Sequence, residues 1–194
     1  MKRAGVFALA LLACLCVDPP TVSRAQEKLV SARAGLVTLV EGEVLRRPGG
    51  GKEVEPLKKG VTLADGDVVL TTGKGHADWS LTPDSYLHVG AGAFVRAYGT
   101  GFGAMHFDVE RGEILVVVRS LKGGASLVIH TPPGQLTVHK AGRYLFRVAE
   151  NGETEAAVAK GELRYRDERG KEFSLKKRMK VNFYRAGKKV THGT

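Results

Sequence analysis

Six histidines, His76, His88, His106, His130, His139 and His192, are the residues that metal or iron chemistry would have to use. A zinc or iron centre needs three or four converging donors of the right hardness. These six show no motif spacing, and only His130 and His139 are placed to share a face. The only cysteines, Cys14 and Cys16, lie in an N-terminal hydrophobic stretch. No metal site and no cofactor is therefore expected. Nucleophilic catalysis has no better support, because there is no Gly-x-Ser-x-Gly elbow and no serine with a recognisable histidine partner. Asp67, Asp78, Asp84 and Glu113 fall in turns or on outward faces, where capping and solvation account for them. Gly99-x-Gly101-x-Gly103 spaces its glycines like part of a phosphate loop, but a dinucleotide fingerprint requires a helix next, and Met105, Phe107 and Val109 alternate as a strand. The expectation is a protein that is not an enzyme.

Charge gives the one candidate contact surface. The 194-residue chain carries a formal net charge of +10, and its last stretch is the most one-sided. From Lys171 onward, Lys171, Lys176, Lys177, Arg178, Lys180, Arg185, Lys188 and Lys189 stand against the single acid Glu172. Phe173, Leu175, Val181 and Phe183 alternate through part of it, as a last strand pair with a basic face would. Lys176, Lys177, Arg178, Lys180, Arg185, Lys188 and Lys189 are accordingly the candidates for touching an anionic surface. That surface would belong to lipid headgroups, to a cell-envelope polymer or to an envelope protein. Nucleic acid is not an expected partner for an exported chain.

The elements that must carry these residues read as strands throughout. His76 to Leu81 alternates, with Ala77, Trp79 and Leu81 on one face, which makes Trp79 a core residue rather than a ligand platform. Thr82-Pro83-Asp84-Ser85 is a turn, with Pro83 preset for its second position. Phe94 to Tyr98 is a short strand between glycine clusters. Leu127 and Ile129, then Thr131-Pro132-Pro133-Gly134, then Leu136 and Val138 form a hairpin that sets Ile129 opposite Val138 and gathers His130, Thr137 and His139 on the other face. Asn151-Gly152 marks a type I′ hairpin after Tyr144, Phe146 and Val148. One signature recurs: Gly42-Glu43-Val44, Gly112-Glu113-Ile114 and Gly161-Glu162-Leu163 each close one β-like run and open another. These are three similar strand-turn-strand corners, unevenly spaced and so not a solenoid repeat. No amphipathic helix is apparent.

The first 25 residues read as a cleavable signal peptide. Met1-Lys2-Arg3 is its positive start, Val6 to Val17 its apolar core, and Ser23-Arg24-Ala25 its small-x-small cleavage site. The apolar run is too short to span a membrane, and no later run is longer, so no transmembrane span is expected in the mature chain. Export follows, to the periplasm or outside. A lipoprotein anchored through Cys14 is the other reading, from Leu11-Leu12-Ala13-Cys14. Residues 26–34 are a linker, 35–187 a single β domain, and 188–194 a basic tail.

Leu63-x-x-Gly66-Asp67, Thr71-Thr72-Gly73 and Ala77-x-Trp79-x-Leu81-x-Pro83-Asp84-Ser85-x-Leu87-x-Val89 together resemble the FecR domain, a β-rich module of exported bacterial proteins. Thr131-Pro132 matches the family's later Thr-Pro turn. Two departures stand out: the glycine of the Asp-Gly-Ser hairpin is missing before Ser85, and Ala141-Gly142-Arg143-Tyr144-Leu145-Phe146 replaces the usual Gly-Thr-x-Phe element. The resemblance spans roughly Gly42 to Val181. It implies an all-β fold, as a two-layer sandwich or a short β-helix of many short strands. It also implies a non-catalytic binding, scaffold or signalling-related module of the cell envelope. The sigma-factor-binding segment of the family's signalling members has no counterpart before the hydrophobic stretch that begins at Gly5, so only the exported module is carried over. The alternatives are an iron-chelate or small-ligand sensing domain, and a carbohydrate-active enzyme on a β scaffold.

Overall fold

The computed structural model describes residues 35–82, 84–99, 104–121, 125–184 and 187–192. Every regular element among them is a strand, as the period-2 patterning requires. In chain order these are β1 (Leu36–Glu41), β2 (Val44–Arg47), β3 (Glu55–Pro56), β4 (Val68–Thr71), β5 (His76–Thr82), β6 (Ser85–Val89), β7 (Phe94–Tyr98) and β8 (Ala104–Val118). They continue with β9 (Ser126–Thr131), β10 (Gly134–Val138), β11 (Gly142–Val148), β12 (Thr154–Lys160), β13 (Glu162–Asp167), β14 (Glu172–Lys176), β15 (Met179–Tyr184) and β16 (Gly187–His192).

Hydrogen bonding sorts the strands into two layers. Sheet I runs β1-β5-β6-β8-β11-β12-β15-β16, antiparallel throughout. Sheet II runs β3-β2-β4-β7-β8-β9-β10-β13-β14. Its single parallel pair is β8 with β9. Strand β8 belongs to both sheets: its first half pairs in sheet II and its second half in sheet I. The inner faces meet at the fully buried Trp79 of β5, whose ring lies 5.8 Å from Phe107 of β8. They meet again where Tyr165 of β13 stacks on Phe183 of β15 at 3.8 Å. The all-β expectation and the inward face of Trp79 both hold.

The recurring Gly-Glu signature is where the chain changes sheet. Gly42 lies between β1 and β2, Gly112 within β8 and Gly161 between β12 and β13, and each step crosses from one layer to the other. All three glycines have positive φ, at 68°, 96° and 101°. Inward parity flips across the second and third corners, where Val109 gives way to Ile114 and Val158 to Leu163; before the first corner it flips inside β1, at the bulge between Val37 and Leu39, so that Val40 and Val44 both pack on the core. Both of those intervals are odd, so a residue beyond strict alternation is accommodated just before Gly112 and just before Gly161, where the pairing with β7 and β11 shifts register. Another segment then pins the glutamate backbone. The Glu43 carbonyl accepts from Thr72 N–H at 3.2 Å, and the Glu113 carbonyl from Gly90 N–H at 2.8 Å. Glu162 N–H donates to the buried Tyr144 hydroxyl at 3.2 Å, while that hydroxyl donates to the Lys140 carbonyl at 2.8 Å.

Several turns differ from their sequence reading. The β9–β10 hairpin closes on Pro132-Pro133 with Thr131 opposite Gly134, so Ile129 faces Leu136, and Val138 faces Leu127. A two-residue loop shifts the register by one pleat repeat and keeps the apolar faces together. The turn after β11 is not type I′, because only Gly152 (φ 81°) is left-handed and Asn151 is not. Ala149 N–H donates to Glu153 O across a three-residue loop, a bulged hairpin instead. Residues 187–192, read as the end of the domain and a basic tail, form β16 against β15. There Val190 lies opposite Val181, continuing the apolar alternation.

Asp67, expected to be explained by capping and solvation, does cap its turn, yet it is only 1% exposed. It accepts from Arg46 Nε at 2.8 Å, Gly49 N–H at 2.8 Å and Ala64 N–H at 2.9 Å. Three donors, one of them charged, offset the cost of burying the carboxylate.

A methyl group on Gly112 would collide with Ala93 Cα and Cβ, and φ there is already unfavourable for L side chains. Gly112→Ala is expected to cost about 2 kcal/mol or more in denaturant unfolding; an unchanged midpoint would show that the corner is soft. Burial pushes the Tyr165 phenol up to about 12 and raises that of Tyr144 as well. Both stay neutral in the fold at a pH where the unfolded chain ionises them. The fold is therefore penalised as pH rises above about 10, where the unfolded phenols ionise, and for Tyr165 that loss runs on to about pH 12. Tyr165→Phe should flatten the fall in stability across that window, and an identical fall in both proteins would contradict it.

Candidate functional site

The basic residues singled out by the sequence do not form one surface of equal character. Lys176 ends β14, Lys177 and Arg178 make the turn into β15, and Lys180 lies within β15. Arg185 lies outside the described residues. Lys188 and Lys189 are in β16, opposite Phe183 and Asn182 in the backbone register. Because β14 ends sheet II and β15–β16 end sheet I, the Lys177-Arg178 turn joins the two layers at one flank. Lys180 is neutralised there by Glu155 at 2.6 Å. It belongs to a cross-strand row on the outer face of sheet I, where Arg147 bridges Glu113 on β8 (2.5 Å) and Glu155 on β12 (2.9 Å). Glu113 beside it holds the Arg147 guanidinium above its ordinary pKa.

A second basic cluster was not legible in the sequence. Arg119 follows β8, Arg143 is the second residue of β11, and Lys160 ends β12. Antiparallel pairing brings these three strand ends together, with Val118 opposite Gly142 and Arg143 opposite Lys160. All three side chains line one groove of about 520 Å³, floored by Ala141, Gly142 and Ala159. Gly142 is buried on the Tyr144 side of β11, where a methyl group would meet the Lys160 carbonyl and the Tyr144 hydroxyl, so the backbone beneath the groove is close-packed. The Arg119 backbone is fixed by its N–H donating to the buried Ser85 hydroxyl at 3.2 Å. The turn at Arg178 sits next along the same end, its N–H donating to the Val158 carbonyl at 2.7 Å. The only legible signal was a basic residue at the end of three separate β runs.

The histidines are distributed differently from expectation. His130 meets His106, not His139: their rings are 6.1 Å apart on the parallel strands β8 and β9, a crossing that adjacent-hairpin logic does not generate. They line a shallow groove on sheet II with Tyr98, Asp108, Glu110 and Thr131. His88 Nδ1 lies 2.7 Å from Asp78 and His76 Nε2 lies 3.1 Å from Glu41. Among the described residues no three His, Cys, Asp or Glu side chains are grouped to hold a metal ion. Asp84 is 3.4 Å from the Thr82 hydroxyl, and Pro83 lies outside the described residues.

The residues that carry the FecR resemblance serve as fasteners. The Thr71 hydroxyl donates to the Gly90 carbonyl at 2.6 Å and accepts from Ala93 N–H at 2.8 Å. Thr72 holds the first corner through Glu43, and Asp67 and Ser85 hold the turns described above. In the basic turn, Arg178 is the only non-glycine described residue with positive φ, at 66°. Arg178→Gly is expected to stabilise the protein by about 1 kcal/mol, raising Tm by about 2–4 °C. A lower Tm would mean that the Arg178 side chain holds the turn in place.

No protein-family model and no curated protein matches this sequence. Among solved structures, two of a proposed anti-sigma factor from Parabacteroides distasonis share its fold, each with a TM-score of 0.53. They are 19% and 18% identical in sequence. Each alignment covers 65% of this chain and 59% of the other, so this chain spans about three fifths of the length of those proteins. At that identity the likeness is one of fold.

Proposed function

We propose that this chain is an exported, FecR-like envelope module that acts without catalysis, in a signalling-related role, by binding another protein along its open strand edges. The N-terminal signal-peptide pattern motivates export. The likeness in fold to an anti-sigma factor supports a regulatory role over an enzymatic one, and the FecR-type residues serve the fold and leave the surface free to differ.

The carrying observation is the contrast between the sheet edges. The outer side of β1 is occupied, because Val37 N–H donates to Val61 O and Gly60 N–H to Val37 O, both at 2.8 Å. The β3 edge is two residues long and contains Pro56, a device that discourages pairing. β14 and β16 each have one strand partner among the described residues. Both lie in the most basic part of the chain. Lysines on an edge repel further copies of the same edge and favour an acidic extended segment, whose backbone would supply the hydrogen bonds.

Capture from envelope extracts, with the native chain compared with Lys176→Glu/Lys177→Glu, should retain a protein that the variant loses. Adding that purified protein should slow amide exchange in β14 or β16. Protection confined to other strands, or equal capture by the variant, would refute this reading.

A further inference from the structure

Several cations near this end of the fold are neutralised. Arg147 is paired twice, Lys180 is paired with Glu155, and Lys140 is held by Glu162 at 2.5 Å. The Lys140 ammonium keeps the Glu162 carboxyl below its ordinary range, so that charge is already matched. Arg119, Arg143 and Lys160 are not neutralised in this way. All three are exposed, none has an ion-pair partner among the described residues, and no acidic side chain lines their groove. Three positive charges without an ion-pair partner among the described residues line one concavity, together with the small side chains of Ala141 and Ala159.

From this we infer that the Arg119–Arg143–Lys160 groove binds a phosphate group. Two guanidinium forks and one ammonium supply directed donors to several oxygens of a tetrahedral anion, and Arg is suited to doing so in pairs. A phosphate ester carries between one and two negative charges near neutral pH, which answers three cations better than a single carboxylate does. The volume of about 520 Å³ exceeds what a bare phosphate needs and leaves room for the group attached to it. Anchoring is built in: Arg119 is held through Ser85, and Arg143 and Lys160 face each other across the β11–β12 ladder. The groove is built on the ends of β8, β11 and β12, none of which is an edge proposed above, so the inference does not depend on that reading.

The phosphate could belong to a soluble ester or to a lipid headgroup, and two probes separate them. In the first arm, pyrophosphate is titrated at low ionic strength while backbone amide shifts are followed by NMR. The shifts should concentrate at Arg119, Gly142, Arg143 and Lys160. Combined Arg119→Gln, Arg143→Gln and Lys160→Gln should weaken binding by about tenfold or more. A charge-matched control, Lys52→Gln, Lys58→Gln and Lys74→Gln, removes three exposed lysines elsewhere and should change it by less than about twofold. In the second arm, flotation with phosphatidylcholine vesicles is compared with and without phosphatidylglycerol. Binding at the groove by pyrophosphate alone identifies a soluble ester, and groove-dependent binding to the anionic vesicles identifies a lipid phosphate; either supports the inference. Binding of neither probe overturns it, as does an equal loss in the groove variant and the charge-matched control. Circular dichroism and thermal melting of both variants separate loss of binding from loss of fold.

Discussion

The structure depends on a steric permission granted at three glycines. A strand that leaves one layer and enters the other must bend sharply and accommodate one extra residue, or its apolar side chains would turn outward in the second layer. Gly42, Gly112 and Gly161 make the bend with left-handed backbone that a side chain would make costly, and the extra residue sits directly before Gly112 and Gly161 and inside β1 before Gly42. Gly112 matters most because it lies inside a single strand, β8, which the two sheets share. With the corner in place, Phe107 and Ile114 both point into one core, and the layers close over Trp79 and Phe183.

Part of this was legible in the amino-acid sequence, and the boundary has a physical cause. Local alternation identified the inward face of Trp79 and the strand Phe94–Tyr98, and the repeated Gly-Glu pairs marked the corners. The chain could not reveal that those corners switch layers, because that depends on which distant strand accepts the hydrogen bonds. The parallel β8–β9 pair is likewise invisible to hairpin logic, so His106 and His130 were not expected to meet. Register in the β9–β10 hairpin turned on whether two or four residues made the loop, and two adjacent prolines settled it at two. The burial of Asp67 was also unreadable, since Arg46, its charged donor, comes from a different strand.

The same reasoning explains what could be read of function. A run of lysines is visible as composition, so the C-terminal flank was identified in advance. Composition does not reveal ion pairing, and Glu155 removes Lys180 from the uncompensated set. The Arg119–Arg143–Lys160 groove is the converse case. No segment is conspicuously basic, yet antiparallel pairing collects one cation from each of three strand ends. Asp67, Thr71, Thr72 and Ser85, the residues on which the resemblance to FecR-type modules rests, are buried or engaged in turns. Function is argued from the surface, because a fold does not fix it.

The most direct test of the central claim, that glycine corners fold one hydrogen-bonded strand system into two facing layers, is a set of nuclear Overhauser contacts between aromatic rings in solution. The account predicts contacts from Trp79 to Phe107 and from Tyr165 to Phe183, pairs that join residues of different sheets at 5.8 and 3.8 Å. Assigned spectra in which both pairs are silent, while neighbours within each sheet give their expected contacts, would contradict it.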